Sequence, residues 1–305
     1  MTHRIVVLGA GYAGLGAAKR IARRLHRDET TVTLVNVTSQ FVERIRLHQV
    51  AAGQRLRTWP LSDLLADAGV ELVVAQVTGI DVERQTVALN APPHTVDYDT
   101  LVYALGSTAD VGTVPGAAEN CFTVAAAAEA MRLQPRAAGL AVDRRGRLIV
   151  DDTLRSASHQ QVYGIGDAAA ALTPGGTESR MSCQTGMPMG QHVAGIIADR
   201  LTGREPKPSR LRYVWTNISL GRYDGVTQFT HADDSPRNVV LTGRAAARFK
   251  EFITRSTVAV LRHPGPYRPT RRVARLPTSG SPVTSSREAG VPRYGIRSVL
   301  GLKRS

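Results

Sequence analysis

The stretch Gly9-Ala10-Gly11-Tyr12-Ala13-Gly14 follows directly on the apolar run RIVVL (4–8) and opens a segment of helical periodicity over 14–26. In a G-x-G-x-x-G turn between strand and helix the first glycine permits the tight turn. The second lets a pyrophosphate approach the backbone, and the third lets helix and strand pack closely. The helix N-terminus then offers unpaired N–H groups and a positive dipole end to phosphate oxygens. An apolar run TVTLVN (31–36) follows, so the first 40 residues read as a β-α-β unit. A glycine turn kept only for packing would look the same, so the motif by itself leaves both readings open. An acid that would accept hydrogen bonds from an adenosine ribose is expected at the end of the second strand. Asn36 stands there instead, 22 residues after Gly14. Its amide still accepts and donates, and no arginine beside it points to a 2′-phosphate, so FAD or NAD fits better than NADP.

Further along, VELVVAQVTGID (70–81), the turn-like VERQ and TVALN (86–90) read as a small antiparallel insertion, after which YDTLVYALGS (98–107) returns to a buried strand at 100–105. Helical patterns occur at 61–68, 124–133 and 187–202. Strands alternating with helices predict an α/β fold: a Rossmann-like domain with a doubly wound parallel sheet and a small antiparallel insertion. From about 205 the texture changes. LRYVWTNISLG, GVTQFT and NVVLTG are rich in strand formers, and 247–263 has helical spacing of its apolar residues, which predicts a separate C-terminal α+β portion. The segment 268–305 has too few large apolar residues to build a core and is expected to be disordered or docked only at points.

No run of 18 apolar residues occurs and no charged leader precedes the first strand, so a soluble cytoplasmic protein is the expectation. Cys121 and Cys183 are far apart and form no C-x-x-C pair, which argues against a dithiol centre, a zinc site and a disulfide scaffold. Redox chemistry would then belong to a cofactor. The formal charge of +14 raises nucleic acid as a partner, but 268–305 holds nine basic residues against Glu288 alone, a net +8 of that total. Thirty-five arginines accompany four lysines, a compositional bias rather than a set of phosphate contacts, and no nucleic-acid partner is expected. Contact of the basic tail with a membrane or a partner, and oligomerisation, stay open.

A second signal separates FAD from NAD. Gln161-Val162-Tyr163-Gly164-Ile165-Gly166-Asp167-Ala168 is an apolar strand ending in Gly-Asp. With the glycine turn and the A-L-G-S strand end Ala104-Leu105-Gly106-Ser107, it resembles the pyridine nucleotide-disulphide oxidoreductases, in which a late aspartate meets the ribityl chain of FAD. SQFVERIRLHQVAAG (39–53), RMSCQTGMPMGQHVA (180–194) and YVWTNISLGRYDGVTQF (213–229) narrow the resemblance to type II NADH dehydrogenase-like proteins. Ile45 stands where relatives commonly carry proline. The resemblance implies FAD held by Gly9, Gly11, Tyr12, Ala13, Gly14, Asn36, Arg44, Val77, Ala104, Leu105, Gly106, Gly166, Asp167, Met187 and Pro188. It also implies a helix beginning near Met187-Pro188 that aims its N-terminus at the flavin, with Pro188 in the first turn.

Relatives carry a second dinucleotide-binding domain between the A-x-G-S strand and the G-D motif. Here FTVAAAAEAMRLQ (122–134) runs directly into PRAAGLAVDRRGRLIVDDTL (135–154), with no second glycine fingerprint and no room for another domain of roughly 100 residues. The expected organisation is a FAD-binding domain in two segments, 1–120 and 135–203, with a linker at 121–134 in place of the NAD(P)H domain, then 204–267 and the basic tail 268–305. Arg46 and His48, on the loop expected to face the flavin, are candidates for orienting an anionic substrate or moving protons, against a structural role for each. Cys183 reads as packing. The function implied is a FAD-dependent oxidoreductase acting on a small organic substrate and reduced by it or by a separate reductase. The alternatives are a non-redox isomerase or cyclase of specialised metabolism and a flavin-binding subunit of a larger complex.

Overall fold

A computed structural model of the chain describes residues 2–51, 53–107, 115, 135–262 and 274–277. Cys121, the linker 121–134 and the helical pattern at 124–133 lie outside the described residues.

Strand β1 (His3–Leu8), helix α1 (Tyr12–Arg24) and strand β2 (Thr30–Asn36) form the expected β-α-β unit, with β1 and β2 parallel from His3 opposite Thr30 to Leu8 opposite Val35. Two short helices, α2 (Leu47–Ala51) and α3 (Leu61–Leu65), follow. The apolar run at 70–81 is two strands rather than one. β3 (Glu71–Val74) joins β2 in the parallel sheet, and β4 (Val77–Asp81) starts the antiparallel insertion with β5 (Thr86–Leu89) and β6 (Thr95–Asp97). The division falls at Ala75-Gln76, where Ala75 N–H donates to the Asn36 carbonyl at 2.9 Å and Gln76 N–H turns to the Asn90 side chain at 2.8 Å. Hydrophobicity is continuous across this point, so periodicity could not locate it.

β7 (Thr100–Tyr103) pairs with β1 on one side and with β9 (Val162–Gly164) on the other; β8 (Leu148–Ile149) lies between them in sequence and pairs with β10 (Ala169–Ala170). The main sheet is thus all parallel, in the order β3-β2-β1-β7-β9. All four residues of β7 are buried, as a strand covered on both faces requires. One face carries α1 and the long helix α4 (Cys183–Leu201), packing Leu15, Ile21, Val193 and Ile197 over Ile5, Val7 and Val102. The other packs Val6, Leu8 and Leu101 against Val87 and Leu89 of the insertion.

The C-terminal portion is the antiparallel sheet of β11 (Trp215–Ser219), β12 (Gly225–Thr230) and β13 (Pro236–Thr242), followed by helix α5 (Gly243–Arg262). Val258 and Leu261 of α5 join the same core as α1. Lys19, buried in α1, donates to the carbonyls of Leu64, Leu261 and Arg262 and so supplies a cation to the α5 C-terminus. Within the tail, Ala274–Pro277 dock on the main body. Ala274 exchanges backbone bonds with Arg24 and His26, and Leu276 N–H donates to Glu29. Among the described residues no helix is long and apolar enough to cross a membrane.

Candidate flavin site

The glycine turn closes on two positions that tolerate no side chain. Gly9 has φ +96°, and a Cβ there would stand 2.6 Å from the Ala104 carbonyl oxygen; one on Gly14 would stand 1.9 Å from the Gly9 oxygen. Gly11 differs. Its φ of −73° and ψ of −172° suit any residue, and no protein atom lies within 4 Å of where its Cβ would be. The fold therefore explains Gly9 and Gly14 by packing and leaves Gly11 facing open space at the N-terminus of α1. That is the second position of the motif, where a pyrophosphate needs bare backbone.

A second helix reaches the same place. Ala13 lies against Gly186 and Gly190, Ala17 against Gly190, and Arg24 against Gly195, so α1 and α4 run parallel with their N-termini together. A Cβ on Gly190 would stand 2.3 Å from the Ala13 oxygen, which shows how closely the two backbones approach. Neither helix is capped by the side chain of its N-cap residue, so two positive dipole ends face one locus. Here one expectation is corrected: α4 begins at Cys183, four residues before Met187, and Pro188 sits inside the helix instead of in its first turn. Met187 packs against the core and faces Tyr12, Lys19 and Leu261. The N–H groups available to a ligand are those nearer Cys183, whose thiol burial pushes up and keeps protonated.

The two late motifs meet although 60 residues separate them in sequence. Ser107 Oγ donates to Asp167 Oδ2 at 2.9 Å, and Arg44 Nη2 donates to the Ser107 carbonyl at 2.9 Å. Gly166, with φ +67°, lies where a Cβ would touch that of Ala13 at 3.0 Å, and its N–H donates to Met189 sulfur at 3.1 Å. Ala104, Leu105, Gly106, Gly166 and Asp167 thus gather beside the glycine turn. Val77 is buried at the start of β4, in the core that also holds Leu105. Asn36 does more locally than the sequence implied. Its Oδ1 accepts from Ala10 N–H at 2.9 Å and its Nδ2 donates to the Thr38 carbonyl at 2.8 Å, pinning the glycine turn to the end of β2. Tyr12 packs edge-on against Phe41, and burial pushes its phenol well above the usual range.

The loop 39–53 stands at this site, held by bonds invisible in its sequence. Glu43 accepts from Trp59 Nε1 at 2.9 Å and from Arg46 Nε at 3.1 Å, while Arg46 Nη2 reaches Glu251 of α5 at 2.9 Å. Arg46 is thereby enclosed by two carboxylates. Glu251 also binds Arg255 at 2.7 Å; burial favours its neutral form, but Arg46 and Arg255 outweigh burial and hold its carboxyl below the usual range. His48 is exposed on α2. Ser107, Glu43, Trp59 and Glu251 were not singled out from sequence; only Ser107 carried a signal there, as the last residue of A-L-G-S. Among the described residues no cluster of metal ligands occurs.

The open space at Gly11, the paired helix ends and the Asp167 carboxylate fit a dinucleotide with a polyhydroxyl chain. The class this fold defines is that of the Rossmann-like dinucleotide-binding proteins. Comparison with known proteins agrees: residues 3–136 match the pyridine nucleotide-disulphide oxidoreductase family. Over those residues the chain is similar to that family, and the curated proteins it resembles there are NADH dehydrogenase-like. A NADH dehydrogenase-like protein of Mycobacterium tuberculosis is 39% identical over 143 residues, covering 45% of this chain and 35% of the relative. A type II NADH:quinone oxidoreductase of Staphylococcus haemolyticus is 32% identical over 124 residues, 40% of this chain and 30% of the relative. The chain thus spans about a third of the length of the curated relatives it matches. In fold it resembles the sulfide:quinone oxidoreductase of Aquifex aeolicus, with a TM-score of 0.69 at 15% identity over 86% of this chain and 92% of that one. NDH2 of Plasmodium falciparum gives 0.62 at 10% identity over 86% and 97%.

Proposed function

We propose that this protein is a FAD-dependent oxidoreductase acting on a small organic substrate, with no NAD(P)H-binding domain between its two flavin-binding segments. The observation that carries this reading is the direct meeting of those segments. β7 pairs with β9, and Ser107 bonds Asp167 across the strand ends. Residues 108–134 connect Ser107 to Pro135, a stretch well short of the ~50 residues that a domain needs. The proposed division is therefore one flavin domain built from 1–120 and 135–203, a linker at 121–134, the portion 204–267 and a basic tail.

FAD, when bound, supplies the two-electron chemistry. The chain binds and orients it. The backbone at Gly11 and the first turns of α1 and α4 are placed to hold its phosphates, and Asp167, fixed by Ser107, to accept from its hydroxyls. Arg44 braces the Ser107 end, and Arg46, committed to Glu43 and Glu251, holds the loop in place. This assigns Arg46 a positioning role and leaves exposed His48 as the loop residue that would meet substrate. Two of the proteins it resembles are named for quinones, so a quinone is the first substrate class to test.

Anaerobic stopped-flow absorbance tests the proposal. Hydride transfer requires the nicotinamide held within about 3–3.5 Å of the flavin, and such positioning contributes several kcal/mol. Slow, unsaturable bleaching by NADH and NADPH, beside prompt bleaching by dithionite, is expected. Rapid saturable bleaching by either nicotinamide would overturn it.

A further inference from the structure

A cavity of about 720 Å³ lies far from the flavin site. It opens between the second halves of α1 and α4 and the loop that follows α4. Arg20 and Arg24 are eight and twelve residues past Tyr12, roughly 12 and 18 Å along α1 at about 1.5 Å per residue. From α4 come His192 and Asp199, and from the following loop Lys207 and Arg210. Four permanent cations thus converge from two elements on one concavity whose walls also include Ile196 and Pro208. Asp199, also in the lining, accepts from Arg204 Nε at 3.0 Å.

The loop carrying Lys207 and Arg210 is fixed, not draped. Ser209 N–H donates to the Asp152 carbonyl at 2.7 Å, and Ser209 Oγ pairs with His192 Nδ1 at 2.9 Å. Gly195 leaves the groove clear for Arg24, whose Nη1 would lie 3.3 Å from a Cβ there. Burial, reinforced by the charge of Arg20, holds His192 below its usual range. Helix C-termini attract cations, which accounts for Arg24 at the end of α1, but not for Lys207 and Arg210 beyond the end of α4.

We propose that this cavity is a second ligand site, separate from the flavin, for a phosphate-bearing anion of up to nucleotide size. Its volume lies within the range of about 300–1,000 Å³ usual for small-molecule sites, and its lining joins cations for phosphate oxygens to an apolar wall for an organic portion.

The test is calorimetric titration of the FAD-saturated protein with inorganic pyrophosphate and, separately, with ATP. One saturable site per chain is expected for both, weakening between about 50 and 200 mM salt as counterion competition requires. The double variant Lys207→Gln/Arg210→Gln should bind at least about tenfold more weakly. Both residues are exposed, so its melting temperature and flavin spectrum should match those of the parent. Arg20→Gln provides a second, independent weakening from α1. Absence of saturable binding up to about 1 mM, several equivalent sites, or equal affinity in parent and double variant would overturn the proposal. In the last case the cations serve only the helix ends and the surface.

Discussion

Replacing Gly11 by alanine separates what the fold needs from what the ligand needs. The backbone at this position, φ −73° and ψ −172°, is ordinary for alanine, and no protein atom lies within 4 Å of the new methyl group. Gly11 is the N-cap of α1, where alanine is a poorer cap than glycine by about 0.5–1 kcal/mol. The substitution also removes about 0.4–1 kcal/mol of unfolded-chain entropy. These effects oppose each other and nearly cancel, so the flavin-free protein should melt within about 0.5 kcal/mol of the parent. FAD affinity should respond differently, because the methyl group enters the space in which the pyrophosphate approaches bare backbone. Overpacking of this kind costs about 1–3 kcal/mol. The expected loss is therefore roughly 5- to 150-fold in Kd. Urea denaturation of the flavin-free protein and fluorescence titration with FAD read the two quantities separately. Parent-like FAD affinity would show that no phosphate lies over Gly11. A loss of more than about 2 kcal/mol in the flavin-free protein would show that the space is not open.

Gly190→Ala should do the reverse, lowering stability by about 1–3 kcal/mol because its Cβ would stand 2.3 Å from the Ala13 carbonyl oxygen. Thermal melts of flavin-free protein would show it, and an unchanged midpoint would mean that α1 and α4 separate easily. Glu251→Gln removes the anion that Arg46 and Arg255 share, and with the carboxylate partly exposed the loss at neutral pH should be about 0.5–1 kcal/mol. Because the folded state depresses the Glu251 pKa, its contribution is present above the unfolded value of about 4.3 and is lost as pH falls through the folded value. Parent and variant stabilities should therefore converge in acid. Melts that stay equally far apart below that range would refute the role of the ionised carboxylate.

Much of the fold was legible because its signals are local. A glycine turn between an apolar strand and an amphipathic helix specifies a β-α-β unit within a few residues, and both Gly9 and Gly14 stand where packing excludes a side chain. The G-D and A-L-G-S strand ends were likewise readable, since each closes a buried strand. Hydrophobic pattern alone did not divide 70–81 into β3 and β4, because both are apolar and only the hydrogen bonds at Ala75 and Gln76 part them. The start of α4 was misplaced for a similar reason. Pro188 reads as a first-turn residue, whereas packing of Gly186 and Gly190 on Ala13 extends the helix back to Cys183.

What only the tertiary structure decided is which polar groups meet. Sequence offers Arg46 as a candidate for chemistry; the fold places Glu43 and Glu251 around it, and Glu251 lies 205 residues away on α5. Asn36 turned out to brace the glycine turn through Ala10, and Ser107 to fix Asp167. Arg20 and Lys207 gave no hint in sequence that they border one cavity. Backbone periodicity is written in neighbouring residues, so sequence determines which elements form and which faces they bury. Ion pairs and hydrogen bonds act over a few ångströms between groups that only the packed helices and sheet bring together, so the partners of each charge are decided by the fold.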